Sequence, residues 1–118
     1  MIRSVLPLTA GPGAASPLEN FYRERGILDR ARRFPGCLDS TLWRVLPTIP
    51  GPAADPASSS PQYTHMVFAD WTTPADYRGW VLDPWRSTVA GDLRSLLDLG
   101  AGEQIVGALL EPVPDDHV

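Results

Sequence analysis

The residues able to do chemistry are few. His65 falls within the alternating run Tyr63–Trp71, which puts it on the same strand face as Val67, Ala69 and Trp71. An imidazole titrating near neutrality can remove a phenol or enol proton and leave an electron-rich carbanion. The same side chain can equally be a hydrogen-bonded histidine of a core or interface. Four tryptophans, at 43, 71, 80 and 85, together with Tyr63, Tyr77, Phe21 and Phe68, are many large rings for 118 residues. Flat polycyclic quinones stack well between such rings, although most of them must be core. Arg86, near the start of the last predicted helix, can hold a phenolate, a carboxylate or a flavin phosphate in its fork of donors. Its alternative is a surface ion pair with Asp83, and Arg44 and Arg78 share that alternative. His117, beside the terminal acids, reads as tail.

Other chemistries are excluded by what the chain lacks. The single Cys37 cannot form an internal disulfide or, without several partners, a zinc site. Neither a Ser-His-Asp order nor a metal-binding His pair stands out, and Gly11-Pro12-Gly13 lacks the spacing of a phosphate loop. All ten basic residues are arginine, and 14 acids against them give a net charge of −4. A nucleic-acid or anionic-membrane surface needs a basic face, so neither partner is expected. The opening MIRSVLPLTAGPG is too short and polar for a signal peptide or a membrane span, and a reducing cytoplasm is the simplest home.

The elements that must position these residues follow from pattern and punctuation. With 118 residues, 43% of them hydrophobic, the chain has room for one domain and one core, spanning 1–118. Residues 2–8 predict a strand. Ser16-Pro17-Leu18-Glu19 predicts a capping box that opens a helix running to about Arg33. After Pro35-Gly36, residues 37–46 predict a strand with Leu38, Ser40, Leu42, Arg44 and Leu46 on one face and Cys37, Asp39, Thr41, Trp43 and Val45 on the other. The stretch 47–61, with five prolines and three consecutive serines, predicts a flexible loop. Tyr63–Trp71 is the clearest strand. Thr73-Pro74 caps a short helix to about Leu82, Asp83-Pro84 caps another to about Leu99, and 104–113 predicts a last strand. Such an order suits an α+β, ferredoxin-like antiparallel sheet with helices on one face. Its other face then requires a cover, and a second copy supplies one as a dimeric α+β barrel.

Two segments carry a family resemblance: Phe34-Pro35-Gly36-Cys37-Leu38, and Trp71-Thr72-Thr73-Pro74-Ala75-Asp76-Tyr77-Arg78-Gly79-Trp80. A Pro-Gly closing the long helix, then a strand ending in Trp, a capped turn and a helix bearing an aromatic and a Trp resemble the antibiotic biosynthesis monooxygenases. The likeness covers nearly the whole chain apart from 47–61 and the last few residues. Phe21-Tyr22-Arg23-Glu24-Arg25-Gly26-Ile27-Leu28 and Trp80-Val81-Leu82-Asp83-Pro84-Trp85-Arg86 are similar to the small polyketide-tailoring oxygenases, including those that open angucycline rings.

That resemblance implies Trp71 and Tyr77 as the pocket's aromatic pair. His65 and Tyr77 are then the catalytic candidates, and Trp71, Trp43, Trp80, Trp85, Phe21 and Arg86 the substrate-binding ones. One departure is plain: anthrone oxygenases of the family usually carry an Asn four residues before the strand's Trp, where this chain has Val67. The implied activity is oxygenation of a polycyclic aromatic polyketide (a phenol, quinone or angucyclinone) in antibiotic biosynthesis, extending to oxidative C–C ring opening. It implies O2, reduced flavin (FADH2 or FMNH2) as cosubstrate with a flavin reductase to supply it, a homodimer, and no metal. Two alternatives stay open: a cofactor-free cyclase or isomerase in which His65 and a Tyr only move protons, and a noncatalytic binding module.

Overall fold

The computed structural model describes residues 1–46, 63–99 and 105–115. Four strands, β1 (Ile2–Leu8), β2 (Cys37–Arg44), β3 (His65–Trp71) and β4 (Ala108–Leu110), form one antiparallel sheet in the order β2-β3-β1-β4. Helices α1 (Ala15–Glu24), α2 (Ile27–Arg32), α3 (Pro74–Val81) and α4 (Pro84–Leu93) lie across one face. This is the predicted ferredoxin-like arrangement. Crossing from β1 to β2 by way of α1 and α2 leaves a gap beside β1, which β3 fills.

Alternation decides which side chains meet the helices. Ser4 and Leu8 of β1, Ser40 of β2, and His65, Ala69 and Trp71 of β3 are buried beneath them, with Leu6, Leu42 and Val67 partly so. One core cluster joins Leu8, Leu18, Tyr22, Ile27, Val89, Leu93 and Leu97, and a second joins Ala31, Ala69, Trp71 and Trp80. On the opposite face the register aligns Thr41, Phe68 and Val5 in one row and Trp43, Met66 and Pro7 in the next. Arg3 closes the end of that face, donating from Nε to Asp70 Oδ1 at 2.7 Å with its guanidinium over the Phe68 ring.

Several local expectations are corrected. The long first helix is two, because Gly26 takes a left-handed φ of 61° that ends α1 and starts α2. Its predicted capping box does not form: the helix starts two residues earlier, Ala14 is the cap residue without a side-chain bond, and Ser16 sits inside the first turn. Glu19 cannot fold back to the cap because tertiary partners hold its carboxylate. A bulge between Cys37 and Asp39 turns Leu38 out to solvent and lets Cys37 pack with the second core cluster, the reverse of strict alternation.

The late elements are shorter than expected. α4 tightens into a 3₁₀ turn at Arg94–Leu96, after which Leu97 bridges to Ala10 and the Asp98 N–H donates to Thr9 O at 2.8 Å. β4 spans three residues of the predicted 104–113. The Thr73 and Asp83 caps form as read, accepting from the Asp76 and Arg86 N–H groups. The flexible loop expected at 47–61 and the tail at His117 lie outside the described residues.

Candidate active site

Beneath the helices the inner sheet face does not pack flush. A cavity of about 370 Å³ opens between β1, β2 and β3 below and all four helices above. Its floor includes Ser4, Ser40, Val67 and Ala69, and its walls carry Tyr22, Tyr77, Trp80, Trp85 and Arg86. This volume is near the lower end of the ~300–1,000 Å³ typical of small-molecule clefts, room for one fused ring system.

An aromatic cluster builds one wall. Thr73 and Asp83 fix where α3 and α4 start, and the i, i+3 spacing within α3 sets Tyr77 and Trp80 on one side. Trp80 lies tilted against Trp85, with centroids 6.2 Å apart, and edge-on to Phe34 at 5.5 Å. Arg30 caps Trp85 from outside, its guanidinium carbon 4.2 Å from a ring centroid. Trp71 supports this wall from below: it is fully buried, meets Tyr77 edge-on at 5.7 Å and donates from Nε1 to Ser4 Oγ at 3.0 Å.

A second, more polar cavity of about 390 Å³ lies alongside, sharing Tyr22 and Leu28 with the first. His65, 1% exposed, lines this one. Its Nδ1 pairs with Thr64 Oγ1 and its Nε2 with Glu19 Oε2, each at 2.8 Å. Glu19 also receives two bonds from Arg44, at 2.6 and 2.9 Å. The Arg44 guanidinium and the His65 ring together hold the Glu19 carboxyl down at about 2.

Neither a protein-family profile nor a curated protein matches the sequence. Solved structures do match in fold. A variant of SnoaB, a cofactor-independent oxygenase from Streptomyces nogalater, superposes with a TM-score of 0.63 at 17% identity over 97% of this chain and 94% of its own. A Deinococcus radiodurans protein provisionally assigned as an antibiotic biosynthesis monooxygenase gives 0.64 at 16% identity over 100% and 98%. A dimeric ferredoxin-like protein of unknown function from Jannaschia gives 0.60 at 22% identity over 94% and 97%. The fold is that of the antibiotic biosynthesis monooxygenases.

Within that monooxygenase fold the predicted site residues divide. Tyr77, Trp80, Trp85 and Arg86 come together on the first cavity, Trp71 stands behind them, and His65 belongs to the second. Phe21 turns toward Arg25 and borders a shallow depression with Asp92, because one helical step separates it from the inward-facing Tyr22. Trp43 is exposed on the far sheet face, where alternation from Leu42 puts it. Val67 lines the first cavity, so the departure from the anthrone oxygenases falls at the site itself. Tyr22 also lines the cavity and is not among the predicted site residues; with Leu18, Phe21, Leu28 and Ala31 it recurs at helical spacing, which shows that a residue faces inward, not that a void meets it there.

Among the described residues no group of three or more His, Cys, Asp and Glu side chains comes together, and no helix is long and apolar enough to cross a membrane. The Cys37 thiol, pushed up by burial, is not activated as a nucleophile.

Proposed function

We propose that the chain is an oxygenase acting on a polycyclic aromatic phenol or enol of polyketide origin, bound in the first cavity between Tyr77, Trp80 and Trp85 and held at one end by Arg86. The observation that carries this reading is the aromatic-walled, 370 Å³ cavity, set on a fold shared with a cofactor-independent oxygenase. Loss of the substrate's proton leaves an electron-rich carbon that reduces O2. A peroxide formed at that carbon loses water, so that CH2 and O2 become C=O and H2O, the substrate supplying all four electrons. The walls serve this by excluding bulk water and orienting the ring.

A resident flavin does not fit the described cavity, which has room for one ring system and Arg86 as its one uncommitted described cation. Reduced flavin therefore enters the reading as an added cosubstrate to be tested, and ring opening as a finer outcome of the same assay. We also propose that the apolar outer sheet face closes on a second copy, a reading supported by the dimeric description of the Jannaschia protein.

The test is oxygen uptake with a polycyclic phenol, with and without FADH2 or FMNH2 and a reductase. Uptake without flavin, paired with carbonyl formation, is expected. Conversion that proceeds anaerobically would make the chain a cyclase or isomerase, and ligand binding without any conversion a binding module; either overturns the oxygenase reading.

A further inference from the structure

Among the polar groups on the first cavity without a hydrogen-bond partner are a buried phenol, Tyr22, and a cation, Arg86. Tyr22 is only 5% exposed, yet its hydroxyl makes no hydrogen bond among the described residues. No completely enclosed side-chain nitrogen or oxygen there is left unpaired, so this hydroxyl reaches open space; Tyr22 borders both cavities, and the charge felt at its phenol is that of Arg86, which lines the first and not the second. Arg86 is half-buried, and its guanidinium has neither a hydrogen bond nor an ion pair among the described residues. The pairing with Asp83 that the sequence allowed does not form, because that carboxylate caps α4 by accepting from the Arg86 backbone N–H. Arg94, which also borders the cavity, is engaged in a contact of its own. A half-buried cation and a buried phenol left unpaired on one cavity are costly in an empty protein. They are well matched to an anionic oxygen.

The cavity also lacks any described His, Asp or Glu to take up a substrate proton. We propose that the Tyr22 hydroxyl and the Arg86 guanidinium form the anion-holding end of the cavity, and that it selects phenols or enols by binding them as their conjugate bases. The inference rests on the first cavity being the substrate site, as argued above. In the step itself the ligand O–H bond breaks heterolytically, the proton leaves to solvent water, and the electron pair stays on the oxygen. That oxygen then accepts from the Tyr22 O–H and the Arg86 N–H groups. Tyr22 keeps its own proton throughout, since burial pushes its phenol well above the ordinary value and outweighs the opposing charge of Arg86. Preorganised donors of this kind replace a general base by making the anion the stable bound form.

The experiment needs no turnover. The full chain is titrated by absorbance with 2-hydroxyanthraquinone, whose conjugate base absorbs at longer wavelength, against anthraquinone as the neutral control, with oxygen excluded. The bound phenol is expected to ionise about one pH unit or more below its solution value, and the hydroxylated ligand to bind about tenfold or more tighter than the control. Arg86→Gln is expected to abolish most of that displacement and weaken binding of the anion about 10–100-fold, with Arg86→Lys restoring part of it. Tyr22→Phe keeps the volume and removes no bond of the folded chain, so it should stay folded by circular dichroism while weakening the anion about tenfold. Ionisation at the solution value, equal affinity for both ligands, no binding of either, or displacement retained in both variants would each overturn the proposal. Ionisation of the ligand by a parent protein that never consumes oxygen would instead overturn only the oxygenase reading.

Discussion

Replacing Glu19 by Gln removes the titrating charge at the junction of α1, β2 and β3. The amide keeps the shape and one accepting oxygen for His65, while its NH2 cannot accept from Arg44, so the anion is lost together with one of the two Arg44 hydrogen bonds. In the folded chain the carboxyl titrates at about 2 instead of 4.5, held down by Arg44 and then by His65. At 1.36 kcal/mol per pKa unit that displacement corresponds to about 3 kcal/mol. The Arg44 side chain is 66% exposed and solvent screens it, which reduces the expectation for Glu19 to about 1–2 kcal/mol. A carboxyl whose folded value is depressed contributes fully above its unfolded value and loses that contribution as pH falls through the folded one. Urea unfolding at a series of pH values should therefore show the parent more stable than Glu19→Gln by about 1–2 kcal/mol at pH 7. The gap should close as pH drops from about 4.5 to about 2. Because the other carboxylates are common to both proteins, their titration cancels in the difference. Parallel pH profiles, or a gap below about 0.5 kcal/mol at pH 7, would refute the reasoning.

Gly36→Ala should cost about 1–3 kcal/mol in denaturant melts, since φ is 86° and the new Cβ would strike the Asp76 side chain, which Thr73 holds in place. Trp71→Phe should cost about 2–4 kcal/mol by the same measurement, from the void left and the Ser4 hydroxyl deprived of its donor. His65→Gln should lower stability while leaving steady-state turnover within about threefold, because His65 borders the second cavity; a loss of ~10²–10⁴-fold would restore it as the acid–base group. Sedimentation should give twice 12.9 kDa for the parent and a folded monomer for Phe68→Asp, whose charge falls mid-face on the outer sheet; a monomeric parent at micromolar concentration would remove the barrel.

Interactions within a few residues were readable from the chain alone. The caps at Thr73 and Asp83 form because an oxygen-bearing side chain and the N–H it accepts lie three residues apart. β1 forms in a short apolar run closed by Gly11-Pro12-Gly13, β3 where alternation is clean, and the paired rings of α3 follow from helical spacing. Tertiary structure decided everything that depends on which distant group arrives first. Glu19 has the position of a capping-box acid, but Arg44 and His65, brought to it by β2 and β3, offer charge and a ring nitrogen where the helix start offers one N–H. Leu38 and Cys37 exchange faces because a bulge adds one residue that no local pattern marks. Tyr22 and Phe21 are indistinguishable as aromatic neighbours in sequence. Only the packing of α1 over the sheet leaves the first facing a cavity and the second stacked beneath Arg25, because a void is a property of what surrounds a residue.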